Sequence, residues 1–236
     1  MFCCGCFGWN NIHVSRGNRP NFTRRRVYTA TLPGGTLTVG DKLFSNFELV
    51  SIASGGAIAP NASNFQIQGV VDTSTGDYGI RLLPIMNAGN GQQVNANLNF
   101  KVSIIPDPNP NIIWQIKDVG MKLTGANASG NGIVNISELV YGGPALSPLL
   151  AGIGVSLQAG DNFNNVSLSA VFSPVNEIYV RKDISISGGQ VGNAHLSEFF
   201  QFYSQVQTIV PEPGTIVLGA IGALFVGCVG YSRRKR

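Results

Sequence analysis

The sequence predicts an all-β fold: an antiparallel β-sandwich or jelly-roll-like domain followed by a single C-terminal transmembrane helix. Three observations carry this. Apolar residues recur at every second position through the body of the chain, as half-buried strands require. Clusters of Gly, Pro, Asn and Asp break these runs at short intervals, with no amphipathic helical stretch between them, which argues against parallel βαβ winding. Finally, Thr215 to Tyr231 hold no charged side chain over seventeen positions.

At 236 residues the chain suffices for one large β domain with appendages. Charged residues make up 12%, about half the usual ~25%. Nine of the sixteen basic residues are terminal: Arg16, Arg19, Arg24, Arg25 and Arg26 near the start, and Arg233, Arg234, Lys235 and Arg236 at the end. Between them lie seven basic and twelve acidic residues, so the body is mildly acidic. A basic face for nucleic acid is therefore missing, whatever the overall pI. The four cysteines, Cys3, Cys4, Cys6 and Cys228, all lie outside the body, which must rely on its core rather than on disulfides. Cys3, Cys4 and Cys6 lack the second spaced pair that a closed zinc site wants, so no metal is expected.

Residues 1–29 show neither strand nor helix periodicity and no apolar run of about 7–15 residues, so no secretory signal peptide is visible there. The reading expects a disordered segment or a wrongly assigned start. The β domain is expected over 30–208. Within it, Ala96, Leu98, Phe100, Val102 and Ile104 alternate with Asn95, Asn97, Asn99, Lys101 and Ser103, a strand with one wet face. Val166, Leu168, Ala170 and Phe172 repeat the pattern. Ile178, Val180, Ile184 and Ile186 do so too, with Lys182 as the exception. Further strands are expected over Leu43–Ile52, Phe65–Val71, Tyr78–Leu83, Ile113–Leu123, Ile133–Tyr141 and Leu196–Val206. Breaks are expected at Ser54–Gly56, Asp72–Gly76, Pro106–Pro110, Gly125–Gly132, Gly142–Pro144 and Gly188-Gly189.

The last part, 209–236, is read physically first. A helix over about 215–232 would be about 25 Å long, the short limit for crossing a bilayer core. Gly219, Gly222, Gly227 and Gly230 suit a water-soluble core helix poorly. Arg233, Arg234, Lys235 and Arg236 would stay cytoplasmic, which places the β domain on the opposite side. The lipid bilayer is thus one expected partner. Gly219, Ala223 and Gly227 share a helix face at the spacing that lets membrane helices approach, although small residues are common along this whole segment.

Val210-Pro211-Glu212-Pro213-Gly214-Thr215, the short small-residue-rich segment and the basic end together resemble a PEP-CTERM sorting domain. The resemblance implies recognition by an exosortase, with Pro211, Glu212 and Pro213 as the sorting motif, and processing near them. It implies a Gram-negative-type or cyanobacterial host, with exopolysaccharide as a further partner. Localisation would be the cell membrane transiently, then the cell surface, outer envelope or medium. Several body segments also resemble a recurrent ectodomain of such proteins: Val39–Phe47, Tyr78–Arg81, Ile116–Met121, Phe172–Val175, Tyr179–Ile184 and Phe202–Val206.

Catalytic signals are thin, so no enzyme, no catalytic residue and no cofactor is expected. No Gly-x-Ser-x-Gly elbow and no phosphate-binding glycine loop occurs. Of two histidines, His13 lies in the unpatterned start, and His195 lies three residues from Glu198 in a strand, where such residues point to opposite faces. Asp41, Asp72, Asp77, Asp107 and Asp161 have turn-like neighbours. Asp72 and Asp77 bracket a turn that offers oxygen ligands for calcium or is a plain solvated turn. Trp114 is the body's one tryptophan. Phe199, Phe200, Phe202 and Tyr203 put aromatics on both faces of one strand, one face for the core and the other for a second sheet or a partner. Five Asn-x-Ser/Thr triplets read as polar strand and turn composition. The reading is a surface or matrix protein of structural or adhesive role. The alternatives are a carbohydrate- or calcium-binding surface module, an unprocessed membrane-anchored protein, and an exported enzyme.

Overall fold

The computed structural model describes Thr29–Ala30 and residues 34–63, 65–161 and 166–209. The expected sorting motif Pro211, Glu212 and Pro213, the expected membrane segment, Arg233, Arg234, Lys235 and Arg236, the four cysteines, His13 and residues 1–28 lie outside them. Among the described residues all regular structure is β, and no helix is long and apolar enough to cross a membrane.

In chain order the strands are β1 (Thr29–Ala30), β2 (Leu37–Val39), β3 (Lys42–Ser54), β4 (Phe65–Val71), β5 (Tyr78–Pro84), β6 (Met86–Ala88), β7 (Gln93–Ile104), β8 (Ile112–Gly130), β9 (Ile133–Tyr141), β10 (Leu149–Gln158), β11 (Val166–Val175), β12 (Glu177–Ser187), β13 (Gly192–Tyr203) and β14 (Gln205–Ile209). They form two sheets. One runs β1-β4-β5-β13-β8-β11, with β6 on β13 and β14 on β8; the other runs β10-β9-β12-β7-β3-β2. The assigned registers are antiparallel throughout.

Alternation explains the core. Val94, Ala96, Leu98, Phe100 and Val102 of β7 are buried, as are Ile178, Val180, Ile184 and Ile186 of β12 beside them. Phe65, Ile67, Ile80, Leu82, Met121, Leu123, Phe199 and Tyr203 answer from the other sheet in the same cluster. Phe44 of β3 and Tyr203 of β13 meet across the sandwich, ring centroids 5.8 Å apart.

Most expected strands and breaks are present, with four corrections. The turn expected over Gly125–Gly132 is largely strand, because β8 runs on to Gly130 while pairing with β13, and the chain reverses only at Asn131-Gly132. The single strand expected over Leu196–Val206 begins earlier and is interrupted at Ser204. The strand β10 has no counterpart among the expected elements. The fourth concerns phase. In β3 the register shifts between Ser45 and Glu48, with Asn46 at φ 56, so burial passes from Lys42 and Phe44 to Phe47. In β13 it shifts between Leu196 and Phe199, so burial passes from Ala194 and Leu196 to Phe199, Gln201 and Tyr203. An extra residue in one strand of a pair flips every side chain beyond it.

Residues 106–114 form, with 207–209, a second, smaller unit. There Asp107 accepts from the Asn109 backbone N–H at 3.0 Å and from the Trp114 indole N–H at 3.2 Å.

Candidate functional site

Three groups of side chains stand apart from plain packing. The first lies on the outer face of β13. Because of its bulge, His195 and Glu198 share this face rather than opposing one another, which corrects the expectation from simple alternation. Phe200 and Phe202 are on it as well, their rings stacked with planes parallel within 2° and centroids 6.1 Å apart. Phe202 is registered against Gly79 and Gly120 on its two neighbours, so its ring lies beside bare backbone. A Cβ at Gly79 would press on that ring and on the Gln201 carbonyl. Arg81 of β5 stands 5.9 Å from the Phe200 ring centroid, donates to Glu198 at 2.6 Å and reaches Gln68 of β4 at 3.3 Å. His195 Nδ1 and Asn87 Oδ1 are 2.6 Å apart. The result is an aromatic strip edged by a cation, a carboxylate, two amides and an imidazole.

The second group surrounds Lys42. Its ammonium donates to Asp41 at 3.1 Å and to the Gln205 side-chain carbonyl at 3.0 Å, and lies 5.4 Å from the Tyr78 ring centroid. Lys42 and Asp41 are buried. Burial lowers the Lys42 pKa, and the adjacent Asp41 carboxylate opposes that shift. The turn preceding Lys42 needs Gly40, which has φ +61 and whose Cβ would overlap the Tyr78 ring. Asp118 accepts from the Ser204 backbone N–H at 3.1 Å and from its hydroxyl, tying β8 to the β13–β14 break. Four of the segments singled out in the sequence thus meet here, through Asp41-Lys42, Tyr78, Asp118 and Ser204-Gln205.

The third group is inside the sandwich. Lys182 of β12 and Glu138 of β9 are directly opposite in register and both face inward, fully buried, with Lys182 Nζ in contact with Glu138 Oε2. From the facing sheet, Gln201 of β13, also fully buried, accepts from Lys182 at 2.8 Å. Met121 Sδ is 3.9 Å from the amine and the Phe199 ring centroid 5.2 Å. Burial lowers the Lys182 pKa and raises that of Glu138, in each case against the pull of the other partner. Burial, then the Glu138 charge, raises the Tyr203 phenol well above its ordinary range. Glu138 Oε1, Gln201 Nε2 and the Tyr203 hydroxyl have no hydrogen-bond partner among the described residues.

The sequence flagged Lys182 but not Glu138 or Gln201. Glu138 interrupts the buried series Val134, Ile136, Val140 as Lys182 interrupts its own, so the signal was available. Gln201 became an inward position only through the bulge. Of the acidic turns, Asp72 caps its own hairpin: its carboxylate accepts from the Ser74 N–H at 2.8 Å and hydroxyl at 2.6 Å, which lowers its pKa. Asp77 donates its N–H to Thr75 at 3.3 Å. Among the described residues no three His, Cys, Asp or Glu side chains group as metal ligands.

No family model matches the chain, and no curated protein does. Solved structures it is similar to include the module TmCBM61 in complex with β-1,4-galactotriose, at 14% identity over 66% of this chain and 88% of that one, TM-score 0.31. Another is the enzymatically active domain of bacteriophage CBA120 tailspike protein 4, at 17% identity over 69% of this chain but 20% of that one, TM-score also 0.31. A TM-score of 0.31 assigns this chain neither a fold family nor a ligand.

Proposed function

We propose that this chain is an exported surface protein, sorted by an exosortase and presenting its β-sandwich as a structural or adhesive module at the cell surface or in the extracellular matrix. The observation that carries this is the order Pro211-Glu212-Pro213, then seventeen uncharged residues, then Arg233-Arg234-Lys235-Arg236. A hydrophobic stop with a basic end retains the tail inside and leaves the preceding domain outside. The sandwich is compatible with that role: its core is a largely apolar cluster, and its strands present largely uncharged polar faces. The test is expression behind a secretory leader in an exosortase-positive host and in a matched knockout, followed by fractionation and mass measurement. The expected product is shortened near Pro211–Pro213 and found outside only when exosortase is present. Full-length product in both hosts overturns the proposal.

A second reading, a carbohydrate-binding surface module, is favoured by one observation: the parallel rings of Phe200 and Phe202 edged by Arg81, Glu198 and Gln68. Apolar ring faces with convergent polar groups are what a saccharide needs for stacking and orientation. Titration of the host's own exopolysaccharide against the full chain and against Phe200→Ala tests it. Equal binding by both removes this strip from consideration.

A further inference from the structure

The cluster between the sheets is costly as mere packing. A buried ion pair recovers its desolvation only when its remaining polar atoms are satisfied, and apolar residues of similar volume often serve as well. Here Lys182, Glu138 and Gln201 are all fully enclosed, and Glu138 Oε1 and Gln201 Nε2 are left unpartnered among the described residues. The three groups are, however, a nucleophilic amine, a carboxamide and a proton carrier, held together in an apolar chamber.

We infer that Lys182 and Gln201 become joined by an amide bond that ties β12 to β13 across the sandwich, with Glu138 moving the proton. The Lys182 amine already donates at 2.8 Å to Gln201 Oε1, the oxygen bonded to the carbonyl carbon Cδ. Nζ attacks Cδ; the Nζ–Cδ bond forms and the Cδ–Nε2 bond breaks. Glu138 takes one proton from Nζ and gives one to Nε2, which leaves as ammonia. Nothing is oxidised or reduced, and no further reactant enters. Glu138 Oε2, in contact with Nζ, is placed to take its proton, and Glu138 Oε1 and Gln201 Nε2, each without a partner among the described residues, are left for the second transfer.

The surroundings favour the step. Burial moves the amine and the acid toward their neutral forms, as a nucleophile and a proton donor need. The fixed placement of amine and amide replaces a bimolecular encounter. Phe199, Met121 and Tyr203 wall the chamber from water, which would otherwise compete for Cδ. A covalent tie between the sheets resists their shearing apart. This inference rests on the core alone and stands or falls apart from the export proposal.

The test is the mass of the full chain, kept in denaturant and then refolded. The expected result is the sequence mass in denaturant and a loss of one ammonia on folding. Digestion with trypsin and a glutamate-specific protease, which spares the Glu212–Pro213 bond, then yields a branched species joining Lys182–Glu198 to Phe199–Arg233. A folded chain, verified by circular dichroism, that keeps its full mass overturns the inference; so does loss of water with Lys182 linked to Glu138. Gln201→Leu, which keeps the ion pair, retains full mass. Glu138→Gln abolishes the bond. Should it fail to fold, Glu138→Asp, which keeps the acid, forms the bond more slowly. An unchanged rate in whichever variant folds removes Glu138 from the step.

Discussion

Strand β12 carries an amine–carboxylate pair on each of its faces, and the two pairs respond oppositely to their surroundings. Outside, Lys101 of β7 contacts Glu177 of β12 at 2.6 Å, with the two side chains 23% and 41% exposed. Hydrogen bonding between them raises the Lys101 pKa and lowers that of Glu177, so each charged form is favoured. Inside, Lys182 and Glu138 shift the other way, each toward its neutral form, because desolvation outweighs their attraction. The residue types are the same. Water decides the sign: it lets the outer pair keep its charges cheaply, and its exclusion makes the inner pair a liability unless every polar atom has a use.

The largest break in that comparison comes from removing one inner partner. Glu138→Leu leaves Lys182 enclosed without its carboxylate, and we expect a loss of ~3–5 kcal/mol by denaturant melts. Adding Lys182→Met removes the orphaned amine and recovers much of that loss. If the double variant were no better than the single one, the cost would lie in shape rather than charge.

The Lys42 cluster is intermediate and sharpens the comparison. It too joins an amine, a carboxylate and an amide, but its amide, Gln205, is half-buried, and Asp41 is the lysine's own chain neighbour. We expect Lys42→Met to cost ~1–3 kcal/mol, the range for a buried acceptor left unmatched. The sign with pH follows from the lowered folded pKa. Between that value and the unfolded 10.5, the native state holds fewer protons than the unfolded one, so stability rises with pH across the window. Melts of wild type and Lys42→Met across that range should differ by this slope. Lys42 should also remain a free amine in the peptide map, since its amide is only half-buried.

What the sequence made legible follows the same division. Apolar alternation in β7 and β12 reads directly, because both faces keep phase along the strand. The Pro106–Pro110 break reads directly too, since three prolines cannot donate to a ladder. The bulges at Asn46 and at Ser197–Glu198 were not legible: phase reversal depends on partner strands far along the chain. For that reason Gln201 passed as an ordinary polar residue and the shared face of His195 and Glu198 was missed. The strand β10 escaped because Gly152 and Gly154 thin its pattern and much of it is only half-buried. The expected sorting motif Pro211, Glu212 and Pro213 rests on local order alone and lies outside the described residues.

On the outer face of the other sheet, Phe202 tests how much a half-buried aromatic contributes without an ion pair. Its ring covers backbone at Gly79, so Phe202→Ala should cost about 1 kcal/mol, roughly half the burial value of a full Phe. A thermal melt measures it. A loss several times larger would make the strip part of the core's support rather than a presented surface.

The smallest effect belongs to the pair that began the comparison. Glu177→Gln should cost ~0.2–1 kcal/mol, since exposure and screening discount the interaction. Its pH signature is specific. Glu177 has a lowered folded pKa, so its contribution is present above the unfolded value of 4.5 and is lost as pH falls through the folded one. Lys101 has a raised folded pKa, so its contribution is complete below 10.5 and fades as pH rises through the folded value. Melts of wild type and Glu177→Gln should therefore separate at neutral pH and converge in acid, and high salt should narrow the gap. An inner-face variant such as Glu138→Leu should show little of that salt dependence, because no ions reach a pair enclosed on every side. Equal salt sensitivity on the two faces would mean that water reaches Lys182, and the contrast between the pairs would fail.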